Sequence, residues 1–321
     1  MSIRVLVSDP VAPASLEVLR AAGFEVDYLP RPTPAELRDK LREAEGWIVR
    51  SGTKATADLI EAAPKLRAIG RAGAGVDNVD VPAATRRGIP VMNVPGGSTV
   101  AVAELAFALM LALVRKVPQA HASLRAGRWE KSAFAGSELN GKTLGIVGFG
   151  RIGEAVAVRA RAFGMTVLAH DPPRAAGPAP ENVAWAGLDE LLERADIVTV
   201  HAPLLPGTRG LLGAAQFARI KPGALLVHCA RGGVVDEAAL LEALRSGRLA
   251  GAALDVFEQE PPAADHPLLA LPNVVVTPHL GASTAEAQDG VGVRIAEQVR
   301  DALLGRGARD AVNPEAVKRP S

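Results

Sequence analysis

A single cysteine, Cys229, occurs in 321 residues. It excludes an intrachain disulfide and a cysteine-built zinc site, and it suits a reducing compartment. Aromatic side chains are nearly as scarce, at 3%, so any core must be assembled from Val, Leu, Ile and Ala. Neither charge sign dominates, with 36 Lys+Arg against 35 Asp+Glu, and no basic run offers nucleic acid a footprint. The N-terminus MSIRVLVSDP lacks the apolar stretch of a signal peptide. The best membrane candidate, Ala101 to Val114, is too short to cross a bilayer and carries Glu104. It reads as a buried or dimer-interface helix. The expectation is a cytoplasmic protein, a homodimer or dimer of dimers, with no metal, nucleic-acid or membrane partner.

What the chain has in quantity is alternating strand and helix signal. RVLVS, FEVDYL, GWIVR, LRAIG and PVMNV are short apolar runs separated by helical segments, which predicts a parallel sheet covered on both faces. After the polar stretch SELNGK, read as a linker, six more runs follow: TLGIVG, TVLAHD, DIVTVHAP, ALLVHCAR, GAALDVF and NVVVTPH. PPRAAGPAPEN between the second and third of these reads as a loop. A helix-rich segment lies between the blocks, and a further helix pattern from about Thr284 to Leu304 needs the first block to pack on.

GIVGFGRIG places Gly148, Gly150 and Gly153 directly after a strand and at the opening of a helix. Asp171 ends the next strand, close to the interval expected of a carboxylate that binds a ribose hydroxyl. Gly148 permits the tight turn, Gly150 lets a pyrophosphate approach the backbone, and Gly153 lets helix and strand pack. The carboxylate repels a 2′-phosphate, so NAD is favoured over NADP, although Arg174 nearby softens that preference. The fold class is α/β, with two doubly wound parallel-sheet domains and a cleft between them. Residues 98–284 form the Rossmann NAD-binding domain, and 1–97 with 285–321 a flavodoxin-like substrate domain.

Arg231, Glu260 and His279 lie at or after strand ends in the second block, where ligands of open α/β sheets sit. A lone histidine is usually an ordinary polar residue. Here an imidazole able to take a hydroxyl proton stands with a carboxylate that favours the imidazolium and an arginine fork that matches a substrate carboxylate. Together they fit a 2-hydroxy acid dehydrogenase.

GKTLGIVGFGRIG, HCARGGVVDE, GAALDVFEQEPP and VVVTPHLGAST resemble the D-isomer-specific 2-hydroxyacid dehydrogenase family, and the likeness covers nearly the whole chain. It implies that Arg231 binds the substrate carboxylate, Glu260 partners the histidine and His279 is the acid/base. It implies that Arg151 and Ile152 touch the pyrophosphate and Asp255 the nicotinamide end, with Cys229 and Ala230 lining the cofactor cleft. Ala202, Pro203 and Gly281 complete that implied cofactor set. Two further runs, IVRSGTKATADLIEAAPKLRAIGRAGAGVDNVD and RWEKSAFAGSELNGKTLG, resemble the members that oxidise D-3-phosphoglycerate. The glycine turn Gly73, Ala74 and Gly75 would then meet the substrate carboxylate, with Arg50, Ser51 and Arg71 near its phosphate. Lys131, from a partner subunit, is a further candidate cation.

Ser98, Ala101 and His228 depart from the usual family pattern, which bears on fine substrate preference. Because the sequence stops soon after the last helix pattern, a C-terminal regulatory domain and serine inhibition through it are not expected. Two other readings stand beside this one: a hydroxypyruvate or glyoxylate reductase with the same machinery, and a non-enzymatic NAD(H) sensor on the same fold.

Overall fold

The computed structural model describes residues 2–317, which divide into two compact units. The chain passes between them after Ser98 and again after Gly281.

The first unit is built on a five-stranded parallel sheet of β1 (Arg4–Val7), β2 (Glu25–Tyr28), β3 (Gly46–Val49), β4 (Ala68–Arg71) and β5 (Val91–Met92), in the order β2-β1-β3-β4-β5. Strand β3 is buried along its whole length, as expected where helices cover both faces and the sequence is a continuous apolar run. One face packs Leu6, Trp47, Val49 and Ile69 under the helices Pro34–Leu41, Ala57–Glu61 and Val81–Arg86. The other packs Val5, Val7 and Ile48 on the last long helix, Ala285–Leu303, through Val291, Ile295 and Val299. The closing DAVNPEAV is held by buried Asn313, whose side chain bonds the Val91 N–H and the Ile89 carbonyl.

The second unit has seven parallel strands where the sequence predicts six. These are β6 (Thr143–Val147), β7 (Thr166–His170), β8 (Val183–Trp185), β9 (Ile197–Val200), β10 (Ala224–His228), β11 (Leu249–Leu254) and β12 (Val274–Val276), in the order β12-β11-β10-β9-β6-β7-β8. The additional strand, β8, is a three-residue edge strand after the stretch read as a loop, within which Pro172–Ala175 forms a helical turn. SELNGK is not a linker between units. It lies inside the second, with Leu139 in its core and the Lys142 N–H on the Leu139 carbonyl.

The apolar helix Thr99–Val114 spends most of its hydrophobic surface on this unit's own core. Val102, Ala106, Phe107, Met110 and Leu113 pack with Leu144, Ile146 and the helix Arg151–Ala162. Among the described residues, no helix is long and apolar enough to cross a membrane.

Candidate functional site

Parallel register brings the dehydrogenase-like residues of the second unit together. His228 on β10 pairs with Leu254 on β11, and Leu254 pairs with Val276 on β12. Three neighbouring strands therefore end at one level, and the segments carrying Arg231, Glu260 and His279 leave from a common edge. Gly232 lets two of them touch, because a Cβ there would lie 1.8 Å from the Phe257 carbonyl oxygen.

His279 Nδ1 lies 2.6 Å from Glu260 Oε2. An ionised carboxylate only accepts, so Nδ1 carries the proton and Nε2 is left to exchange one with a substrate. Burial pulls the Glu260 carboxyl upward. The hydrogen bonds from His279 and from the Phe257 N–H, with the charges of His279 and Arg231, outweigh it and hold the group below its ordinary range. Asp255, Phe257, Glu260, Val276, Thr277 and His279 line a cavity of about 380 Å³.

Asp255 explains why the histidine sits where it does. Its Oδ1 accepts the Thr277 hydroxyl (2.6 Å) and the Leu280 N–H (2.7 Å), its Oδ2 accepts the Gly281 N–H (2.9 Å), and its carbonyl accepts the His279 N–H. The carboxylate is 1% exposed. His279 itself has φ +52°, a left-handed conformation that costs a non-glycine residue about 1–3 kcal/mol and persists where surrounding bonds over-determine it. The implied nicotinamide contact leaves out this role, since Asp255 spends both oxygens on the turn that carries His279.

Arg231 Nη1 bonds the Ala230 carbonyl at 2.7 Å, and its own carbonyl receives His228 Nε2 at 3.0 Å. His228 is buried, and burial pushes its imidazole down to about 4 despite that bond and the Glu260 charge. It is therefore neutral, with the Nε2 proton facing the Arg231 carbonyl. Burial also raises the Cys229 thiol well above its ordinary value, which does not suit a nucleophile. Cys229 and Ala230 are 6% and 8% exposed.

The glycine loop divides by task. Gly148 has φ +90°, and a Cβ there would fall 2.4 Å from the Ala202 N. The chain's own packing demands that glycine and places the backbone of His201 and Ala202 against the loop. At Gly153 a Cβ would lie 2.5 Å from the Gly148 carbonyl oxygen. Gly150 differs, since a Cβ would meet nothing within 4 Å and its φ is −75°. Neither packing nor backbone requires glycine here, while the open space over it and the uncapped N-terminus of Arg151–Ala162, with Arg151 and Ile152 in its first turn, suit a pyrophosphate. Asp171 Oδ2 accepts the Phe149 N–H at 2.8 Å, and its other oxygen caps the turn 172–175 at Arg174 N. Arg174 is committed elsewhere, to Glu154 at 2.6 Å and to the Phe149 carbonyl at 2.9 Å.

In the first unit, Arg71 ends β4 and pairs in register with Val49, so Arg50 follows at the same level. Two residues missed in the sequence hold this edge. Asn78 donates its amide to the Arg50 and Thr53 carbonyls and accepts Arg71 Nε at 3.4 Å. Asp9, 3% exposed, accepts the Arg50 and Thr53 N–H groups. Both act through backbone groups dozens of residues away, and only the Asn and Asp types themselves hinted at it. Ser51 is exposed. Gly73 has φ +154°, a conformation that favours glycine, and the Arg71 guanidinium lies over it, 1.5 Å from where a Cβ would stand. Its N–H is already bonded to the Arg71 carbonyl and so is not free to meet an anion. Lys131 lies in the exposed turn Lys131–Phe134 of the second unit.

The model of the D-isomer specific 2-hydroxyacid dehydrogenase NAD binding domain matches residues 107–281. The D-3-phosphoglycerate dehydrogenase of Methanocaldococcus jannaschii is 49% identical over 97% of this chain, but the match covers 59% of that protein. The chain thus spans about three-fifths of the length of the curated relatives it matches. The TT0316 protein of Thermus thermophilus superposes with a TM-score of 0.89 at 41% identity, over 97% of this chain and 100% of that one. An NADPH-dependent glyoxylate/hydroxypyruvate reductase of Sinorhizobium meliloti, in complex with NADP and malonate, does so at 0.86 and 32% identity over the whole of both chains.

Proposed function

We propose that this chain, which belongs to the D-isomer specific 2-hydroxyacid dehydrogenase family, oxidises D-3-phosphoglycerate at its 2-hydroxyl, producing 3-phosphohydroxypyruvate. The observation that carries the reading is the His279–Glu260 pair, with Arg231 close enough to act on the same carboxylate. NAD, when bound, supplies the acceptor for the hydride leaving C2. His279 takes the hydroxyl proton at Nε2 while Nδ1–H stays on Glu260, which stabilises the imidazolium that forms. In the reverse direction the same atom returns the proton. The Arg231 guanidinium offers the substrate carboxylate a planar fork.

Gly150 and the amides of Arg151 and Ile152 hold the pyrophosphate, and Asp171 takes the adenosine ribose. Arg174 is paired with Glu154, which competes with a 2′-phosphate for its guanidinium and, with the Asp171 carboxylate, favours NAD over NADP. The first unit contributes cations suited to a phosphate, Arg50 and Arg71, and the curated relatives that share its sequence are phosphoglycerate dehydrogenases. We further propose a homodimer or dimer of dimers in the cytoplasm. The exposed Val117, Leu124 and Trp129 supply apolar surface for it, and light scattering of the purified protein tests it.

The similarity to the Sinorhizobium enzyme favours a second reading, a hydroxypyruvate or glyoxylate reductase. NADH oxidation with phosphohydroxypyruvate and with hydroxypyruvate separates them. A kcat/KM preference of about a hundredfold for the phosphorylated acid, about 2.7 kcal/mol of transition-state binding, establishes the first reading. The reverse preference establishes the second, and turnover of neither defeats both.

A further inference from the structure

The first unit has another opening at the carboxyl edge of its sheet. In the order β2-β1-β3-β4-β5 the connections diverge between β1 and β3, and ligands of such sheets bind outside the strand ends at that point. The loops after β1, β2 and β3 enclose a cavity of about 470 Å³ there, within the size range of small-molecule sites. Arg31, Arg38 and Lys54 line it, with Leu37 and Leu59 on its apolar wall.

Some cations in this unit are paired, and others, such as Arg20, Arg42 and Arg294, meet no carboxylate among the described residues. Arg4, Lys40, Lys65 and Arg67 each meet a carboxylate at 2.6–3.0 Å. Arg31, Arg38 and Lys54 meet none among the described residues, although two carboxylates line the same cavity. Asp9 is spent on the Arg50 and Thr53 amides, and Asp58 lies in the first turn of its own helix. The N-terminus of Pro34–Leu41 is closed by the reciprocal Thr33–Glu36 bonds. An anion in the cavity is therefore met by side chains and not by that helix end. Two guanidinium groups and an ammonium line one concavity, so a multiply charged anion there could meet all three, and the fork geometry matches phosphate.

We propose that this cavity binds a phosphorylated small molecule, with its phosphate among Arg31, Arg38 and Lys54 and its organic part against Leu37 and Leu59. The site uses neither Arg50 nor Arg71, so it stands independently of the reaction assigned above. Phenyl phosphate is a suitable probe, titrated into the whole protein by calorimetry and by the methyl resonances of Leu37 and Leu59. The expected result is saturable binding that shifts those methyls. It should weaken at least about tenfold in the double variant Arg38→Ala, Lys54→Ala and be unaffected by Arg71→Ala. Both replaced side chains are exposed, so an unchanged melting temperature accompanies the loss. No heat up to about 10 mM probe, equal affinity in the double variant, or binding that Arg71→Ala removes would each overturn the proposal.

Discussion

Glu237 and Glu258 hold each other's backbone. The Glu237 N–H donates to Glu258 Oε1 at 3.1 Å, and the Glu258 N–H donates to Glu237 Oε1 at 2.7 Å. His266 Nε2 closes the group on Glu237 Oε2 at 3.1 Å, with side chains only 20% and 17% exposed. Phe257 stacks edge-on against His266 and sends its N–H to Glu260. The arm that carries Glu260 is thereby fastened to the start of the helix Glu237–Arg245. Glu237→Ala should release it and lower kcat by about tenfold, the scale of a modest loss of positioning, with the KM for NADH unchanged. Glu237→Gln keeps an acceptor for the Glu258 N–H and should recover most of the rate. Steady-state kinetics of both variants check this, and a melting temperature that drops with kcat intact would refute it.

The two glycines of the loop should behave oppositely. Gly148→Ala forces a Cβ onto the Ala202 backbone at φ +90°, at a cost of about 2–5 kcal/mol. Gly150→Ala meets no protein atom and should change stability by less than about 0.5 kcal/mol. It should nevertheless weaken NADH binding at least about tenfold, because the new methyl occupies the space left for the pyrophosphate. Melting curves and NADH fluorescence titrations on the pair decide it, and unchanged affinity in the Gly150 variant refutes the cradle.

Coenzyme preference should move with Asp171 and Glu154. Asp171→Ala removes the carboxylate that opposes a 2′-phosphate, and the NADPH:NADH ratio of kcat/KM should rise by about tenfold. Adding Glu154→Gln loosens Arg174 from its partner and should raise the ratio further. A ratio that stays fixed in the double variant argues that neither residue sets the choice.

Acid should destabilise the fold in two overlapping stages. Burial holds His228 down to about 4. Burial, with the charge of His228, holds His201 down to about 3. Between the ordinary value of 6.5 and those values the unfolded chain binds protons that the folded chain refuses. Stability is therefore complete above pH 6.5 and erodes as pH falls. His228→Asn should flatten that slope by up to about 1.4 kcal/mol per pH unit, read from urea midpoints at pH 7, 6 and 5. Equal slopes in the two proteins would defeat the assignment. Glu260, depressed below 4.5, contributes stability that is lost only at lower pH, as its carboxyl protonates.

Much of this was legible in the residues because most of these parallel strands are buried and are therefore largely apolar runs. The eleven runs read as strands are strands. β8 escaped because three edge residues after a Pro- and Ala-rich stretch show no periodicity, and SELNGK looked like a linker because only Leu139 in it is apolar. The meeting of Glu260 and His279, with Arg231 near enough to act on the same carboxylate, was legible from their positions at or after strand ends. Asn78, Asp9 and Glu237 were not, since each works by holding main-chain groups that are remote in sequence, which no local pattern reports.

The turn around His279 is fastened by Asp255, through bonds to Thr277, Leu280 and Gly281 in which the imidazole takes no part. In the reaction proposed above, the group that would gain and lose a proton is thus mounted on a turn whose side-chain fastenings do not include it. A change in the ring's charge would then break none of those three bonds, and the proposed proton transfer would not require the turn to rearrange.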